Sequence, residues 1–223
     1  MNQNVVIILA SESPRRRELL QQAGLEFQII TSEIEEKTKE KAPEKVVLEL
    51  SDMKCKTVAD IFIRKTPKKE SLELINMLIP DDGGILVIAA DTVVAYEGTI
   101  LGKPKEPKEA KKYLMMLSGK THEVYTGVNC RYLTYSSYLE KMIEADNFGF
   151  YSKTLVKMYP FDEYEALDYI ATGEPMDKAG AYGIQGIGSR LVESINGDYN
   201  NVVGLPLSQL IKELSEREYI TYE

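Results

Sequence analysis

Three stretches of the chain place charge or backbone freedom where local sequence logic argues against it. The first is LASESPRRRELL at 9–20, in which Arg15, Arg16 and Arg17 directly follow Ser13-Pro14. A serine that can cap free N–H groups, then a proline at the first helical position, predicts a helix start near Pro14. Cations in that first turn lie at the positive end of the helix dipole, where carboxylates are ordinarily favoured by roughly 0.3–1 kcal/mol each. The missing partner is an anion. Successive helical side chains fan out by about 100° each, so at most two of the three arginines converge on one ligand. Helix N–H groups, the Ser11 or Ser13 hydroxyl and one or two guanidinium forks would together bind phosphate. The alternative is a solvated basic turn.

The second is Asp91, inside VIAADTVV. An ionised carboxylate in an apolar strand costs several kcal/mol unless it is paired, hydrogen-bonded or bound to metal. Two roles fit it, a Mg²⁺ ligand bridging phosphate oxygens or a general base activating water; the alternative is a turn cap after a strand ending at Ala90. The third is 173–190, where Gly173, Gly180, Gly183, Gly186 and Gly188 surround Lys178, Tyr182 and Gln185. Glycines admit close backbone approach, and a glutamine amide can pair two ways with a nucleobase edge. A plain loop fits equally well, and neither a dinucleotide fingerprint nor a Walker loop is present. His122 reads as a strand residue, because no Ser or Cys motif would use it. By charge alone, Glu35, Glu36, Lys54 and Lys103 are ordinary loop, helix and turn residues.

These residues need elements to hold them. NVVIILA at 4–10 reads as a buried strand feeding the arginine turn, followed by a helix over 14–23 stopped by Gly24 and a strand over 25–30. Residues 32–45 form a charged loop. A helix from Pro43 to about Arg64 carries Val46, Val47, Leu50, Met53, Val58 and Ile61 at helical spacing. A shorter helix is expected at 70–79, then a strand through Asp91 with a turn at Glu97-Gly98 and a short returning strand. Residues 107–117 are helical in pattern, and 121–135 pairs with 148–159 as long antiparallel strands, with SYLEKMIEADNFG making an excursion between them. A helix over 161–172, a strand over 190–195 and a helix from Pro206 to Arg217 complete the chain. Alternating elements followed by long antiparallel strands predict a mixed sheet in an α/β or α+β domain.

Composition narrows the function. Apolar residues make up 43% and charged residues 28% of the 223 positions, with a net charge of −8. That is a globular balance, and the acidic total argues against broad nucleic-acid binding. No apolar run reaches the roughly 18 residues of a membrane span, and the first residues lack a signal-peptide pattern, so a cytoplasmic location is expected. Cys55 and Cys130 have no metal-type spacing and read as small apolar residues.

Taken together, LASESPRRRELL at 9–20, IEEK at 34–37, KCKTVA at 54–59, AADTVV at 89–94, LGKP at 101–104, LSGKTHEVYTGV at 117–128, TGEPMDKAGAYGIQG at 172–186 and NGDYNNVVGLPL at 196–207 resemble the Maf family of nucleoside triphosphate pyrophosphatases. The resemblance implies one domain over 1–223 with a Maf/ITPase-like fold, a central mixed twisted sheet flanked by helices and a cleft between two lobes. It implies hydrolysis between the α and β phosphates with Mg²⁺ or Mn²⁺, giving a monophosphate and pyrophosphate, and a homodimer.

By the same resemblance Asp91 is the presumed proton acceptor for the attacking water and, with Glu36, holds the metal. Glu36, Lys54 and Lys103 match charged groups of the site, Ser11, Arg15 and Arg16 match substrate contacts, and Arg17 falls at a variable position. Thr92 and Gln185, together with Arg15, match positions tied to substrate choice, and Lys178 lies in the same stretch as Gln185. DKAGAYGIQG resembles the branch acting on dTTP and UTP rather than the branch acting on 7-methyl-GTP. Two departures stand out: Glu35-Glu36 replaces the usual Asp-Glu, and extra residues occur near 64–84 and 130–148. The rival readings are a non-catalytic nucleotide sensor, a regulator of cell division acting through protein partners, and a nucleic-acid-binding protein.

Overall fold

The computed structural model describes residues 2–31, 34–64 and 83–222. A two-residue strand β1 (Asn2–Gln3) pairs antiparallel with β9 (Ile220–Thr221) and ties the two ends of the chain together. The first apolar run forms β2 (Val6–Leu9), and the arginine turn opens α1 (Pro14–Gln22). Gly24, at φ +72°, supplies the left-handed residue that ends this helix. β3 (Phe27–Ile29) follows, then α2 (Pro43–Arg64), whose long apolar period made its start readable. β4 (Ile85–Tyr96), β5 (Thr99–Leu101) and α3 (Pro107–Leu117) lead into the hairpin of β6 (Thr121–Ser136) and β7 (Lys141–Met158). After α4 (Glu163–Ala171) come three short 3-10 turns at Glu174–Asp177, Ala179–Ala181 and Gly186–Leu191. β8 (Val192–Asn196), α5 (Tyr199–Val203) and α6 (Leu207–Glu216) complete the order.

The described residues form one seven-stranded sheet in the order β3-β2-β4-β6-β7-β8, with β5 on β4. β2 runs parallel to β3 and β4, and the other pairs are antiparallel, so the sheet is mixed as expected. Period-two alternation along β4 sends Ile85, Val87 and Ala89 against Cys55, Val58 and Ala59 of α2. Leu86, Ile88 and Ala90 face the other way, into the core shared by Leu19 and Leu20 of α1 with Leu210 and Leu214 of α6. The seat of α2 is close: a Cβ on Gly127 of β6 would lie 2.6 Å from the Val47 carbonyl group. Asn129 locks that seat, its Nδ2 donating to the Leu48 carbonyl at 3.0 Å and to Ser51 Oγ at 2.8 Å.

Several expectations change. SYLEKMIEADNFG makes no excursion: β6 and β7 run straight through to a turn at 137–140, with a register shift between Tyr132 and Leu133. The mixed polar sequence hides this strand because long-range contacts hold it. Met142 is buried against α2, and Arg131 bonds Glu144 and Asp52. The helix expected at 70–79 lies outside the described residues. The strand expected at 190–195, β8, starts at Val192 rather than at Arg190, because Arg190 and Leu191 still belong to a 3-10 turn. Ser13 makes no side-chain cap on α1; its own N–H instead donates to Ser11 Oγ at 3.3 Å. Both cysteines are buried, and burial pushes both thiols well above their usual range, in keeping with packing roles.

Candidate active site

The site sits where the sheet changes partners. Pairing of β2 with β4 ends at Leu9 and Ile88, and β5 joins β4 only at Val94. Between these points residues 89–93 pair only with β6 among the described residues. A cleft of about 610 Å³ opens along this edge. Consecutive residues of a strand point to opposite faces, so Asp91 faces α2 while Thr92 faces α1 and α5. A free edge lets both reach one ligand.

On the α2 side, Lys54 Nζ lies 2.5 Å from Asp91 Oδ1 and 3.1 Å from Glu36 Oε1. The Asp91 and Lys54 side chains are only 11% and 17% exposed, so the ammonium offsets the cost of burying the carboxylate. Asp91 Oδ2 and Glu36 Oε2 carry no hydrogen bond among the described residues. No group of three or more His, Cys, Asp or Glu converges among those residues. Two carboxylates gathered round one cation, each with an oxygen to spare, nevertheless fit Mg²⁺ or Mn²⁺. Such ions commonly take one or two carboxylates and complete their shell with water and substrate phosphate.

On the opposite side Arg16 is held, among the described residues, by neutral oxygens alone. Its Nε donates to the Gly204 carbonyl at 2.8 Å, Nη1 to Ser11 Oγ at 3.0 Å and Nη2 to Thr92 Oγ1 at 3.2 Å. Thr92 is steadied by Thr126 at 2.9 Å, and Thr126 Oγ1 donates to the Asn201 carbonyl. Asn201 anchors α5 on Val124 and Thr154, which presents Gly204 to the arginine. Three of the five guanidinium N–H groups are used, leaving one on each Nη. Burial pushes the Arg16 guanidinium below its usual value, opposed by the charge of Asp91. Ser11 is buried beneath Arg16 and is not part of the cleft lining, whereas Ser13 is.

Arg15 lines the mouth of the cleft, its Nη1 3.4 Å from Asp177 Oδ2. Lys178 Nζ donates to Asp177 Oδ1 at 2.8 Å and to the Glu174 carbonyl at 2.5 Å. Burial works against the charge of Asp177, but Lys178 and Arg15 hold its carboxyl below the usual range. Lys103 and Gln185 line the cleft and make no side-chain hydrogen bond or ion pair among the described residues. Arg17 is not among the lining residues. The structure thus brings nine of the ten expected site residues to the cleft wall and puts Ser11 directly behind it. Sequence reasoning missed Thr126, Gly204 and Glu174. A threonine in an apolar strand and an acid heading a glycine run were the available signals. His122 is the expected strand residue: it is buried, its Nε2 is 2.7 Å from Tyr182 Oη, and burial pushes its imidazole down to about 4.

The family model described as Maf-like protein matches residues 6–217. The chain belongs to the Maf family. That match spans every site residue from Ser11 to Gln185. A relative in Agathobacter rectalis, named dTTP/UTP pyrophosphatase, is 50% identical over 208 residues, covering 93% of this chain and 95% of its own. Relatives of the same name in Bacillus thuringiensis subsp. konkukian and Bacillus cereus are 43% and 44% identical over 212 residues, with 94% of each chain covered. The mixed sheet flanked by helices is accordingly the Maf fold, and residues 130–148 form the outer part of the β6–β7 hairpin within it. No helix among the described residues is long and apolar enough to cross a membrane.

Proposed function

We propose that this Maf protein hydrolyses dTTP and UTP between the α and β phosphates, releasing the monophosphate and pyrophosphate, as a cytoplasmic house-cleaning enzyme. The observation that carries the reading is Arg16: a half-buried guanidinium that among the described residues bonds only neutral acceptors, with N–H groups left over beside a carboxylate–lysine pair. Arg15, Arg16, Lys54 and Lys103 neutralise the triphosphate, and the uncapped first turn of α1 adds backbone N–H groups. Asp91 orients the attacking water and accepts its proton as the water oxygen bonds to the α-phosphorus and the bond to the pyrophosphate leaving group breaks. Lys54 holds Asp91 in place for this. Mg²⁺ or Mn²⁺ would be held by Asp91 and Glu36, and when bound supplies charge neutralisation to the phosphates. Thr92 and Gln185 both line the cleft and bear on substrate choice, with Lys178 in the same lining.

The names of the 43–50% identical relatives support the pyrimidine preference. A homodimer belongs to the same proposal, and sedimentation of the purified chain tests it. The non-catalytic regulator gains no support from a site that joins Asp91 to Lys54 at 2.5 Å. The test is pyrophosphate release from a panel of purine and pyrimidine triphosphates with Mg²⁺ or Mn²⁺. We expect dTTP and UTP to be turned over fastest; rates no better than those for purines would contradict the pyrimidine assignment.

A further inference from the structure

The glycine-dense segment is folded around a carboxylate of its own. Tyr169 of α4 is wholly buried, and its hydroxyl donates to Glu174 Oε1 at 2.8 Å while accepting the Gly183 N–H at 3.1 Å. Glu174 Oε1 also accepts the Gly188 N–H at 3.1 Å, and Oε2 accepts the Ile187 N–H at 2.9 Å. Gln185 therefore sits between two anchors, with the Gly183 N–H tied on one side and the Ile187 and Gly188 N–H groups tied on the other. The glycines are explained by this wrapping. A Cβ on Gly188 would lie 2.4 Å from Tyr169 Oη, and one on Gly186, which is at φ +65°, would lie 2.7 Å from Glu174 Oε2. Burial works against the Glu174 charge, but the hydrogen bonds from Tyr169, Ile187 and Gly188 outweigh it and hold the carboxyl below its usual range.

We infer that Glu174, seated by Tyr169, is a positioning residue that sets Gln185 against the base of the nucleotide and thereby fixes base discrimination. The inference rests on the proposed pyrophosphatase reading and deepens it. Arg15, Arg16, Lys54 and Lys103, which face the phosphates, lie outside the segment after α4 that holds this clasp; Arg15 meets that segment at Asp177, and among the described residues the Glu174 carboxylate bonds none of the four. Both Glu174 oxygens accept from N–H donors, so an amide in its place must turn its own NH₂ toward one of them. That repels a backbone N–H and shifts the loop bearing Gln185 without removing any group that meets the phosphates.

The experiment uses the full chain as wild type, Glu174→Gln and Tyr169→Phe. It measures kcat and KM for dTTP, UTP and dGTP, inhibition by tripolyphosphate as a base-free probe, and thermal unfolding. Since a misplacement of about 1 Å can cost up to about 100-fold, we expect the dTTP-to-dGTP ratio of kcat/KM to fall at least about tenfold in Glu174→Gln. The tripolyphosphate inhibition constant should stay within about twofold, because uniform phosphate binding is untouched. Tyr169→Phe keeps the ring packing and loses only the hydroxyl, so it should shift the ratio in the same direction by less. Unchanged selectivity in both variants, or a loss of tripolyphosphate affinity matching the loss of kcat/KM, overturns the inference while the wild-type enzyme still stands as a pyrimidine triphosphate pyrophosphatase. A wild type inert toward every triphosphate overturns the proposed reading and this inference together.

Discussion

A half-buried guanidinium bonded only to neutral oxygens keeps its charge for a ligand. Arg16 is in that state, and its planar fork is what lets it hold Ser11, Thr92 and Gly204 while leaving N–H groups for phosphate. Arg16→Lys keeps the charge but loses the fork, so kcat/KM for dTTP should fall by about 100-fold, or ~2.7 kcal/mol. Arg17→Ala, outside the cleft, should change it by less than about twofold, since substitutions away from such features act within about 0.5 kcal/mol. Steady-state kinetics on both variants checks this separation. At this scale much was legible, because Arg16 and Asp91 are charges in the wrong local company. The groups that hold them were harder to read. Thr126 and Gly204 are unremarkable residues until the fold sets Thr126 2.9 Å from Thr92 and the Gly204 carbonyl 2.8 Å from Arg16.

At the scale of elements, the position of Lys54 over Asp91 is decided two turns away, where Val47 rests on Gly127. A methyl group there meets backbone atoms that cannot rotate aside, so α2 must lift. Gly127→Ala should cost about 1–3 kcal/mol in urea unfolding. It should also lower pyrophosphate release by about tenfold or more as Lys54 leaves Asp91. An Ala variant with wild-type stability and rate would show that this contact does not set the site. α2 itself could be read from Pro43 onward because its apolar period runs from Val46 to Ile61. The 141–147 strand could not, since its register depends on Arg131 bonding Glu144 and Asp52, partners that sequence spacing does not reveal.

For the molecule as a whole, the cleft exists because β2 and β5 leave part of β4 unpaired on one side, a consequence of strand order that no single motif states. The sequence motifs could list the site's members, but only the sheet shows why Asp91 and Thr92, on opposite faces, serve one cleft. His122 joins the sheet to the glycine-dense segment through Tyr182, and its imidazole is pushed from 6.5 down to about 4 by burial. Between those values the unfolded chain binds the extra proton and the folded chain does not, so stability falls as pH drops from about 6.5 to about 4. The gap corresponds to roughly 3 kcal/mol at about 1.4 kcal/mol per tenfold. Urea unfolding should therefore show His122→Phe losing less stability than the wild type between pH 7 and about pH 4; equal losses would remove His122 from the account. The most direct test of the central claim is Asp91→Asn, assayed for pyrophosphate release from dTTP and for dTTP binding in the same preparation. Removing the proton acceptor should lower release by about 10³-fold or more while the dissociation constant moves less than about tenfold. Release near the wild-type rate would contradict the assignment of Asp91 and the mechanism built on it.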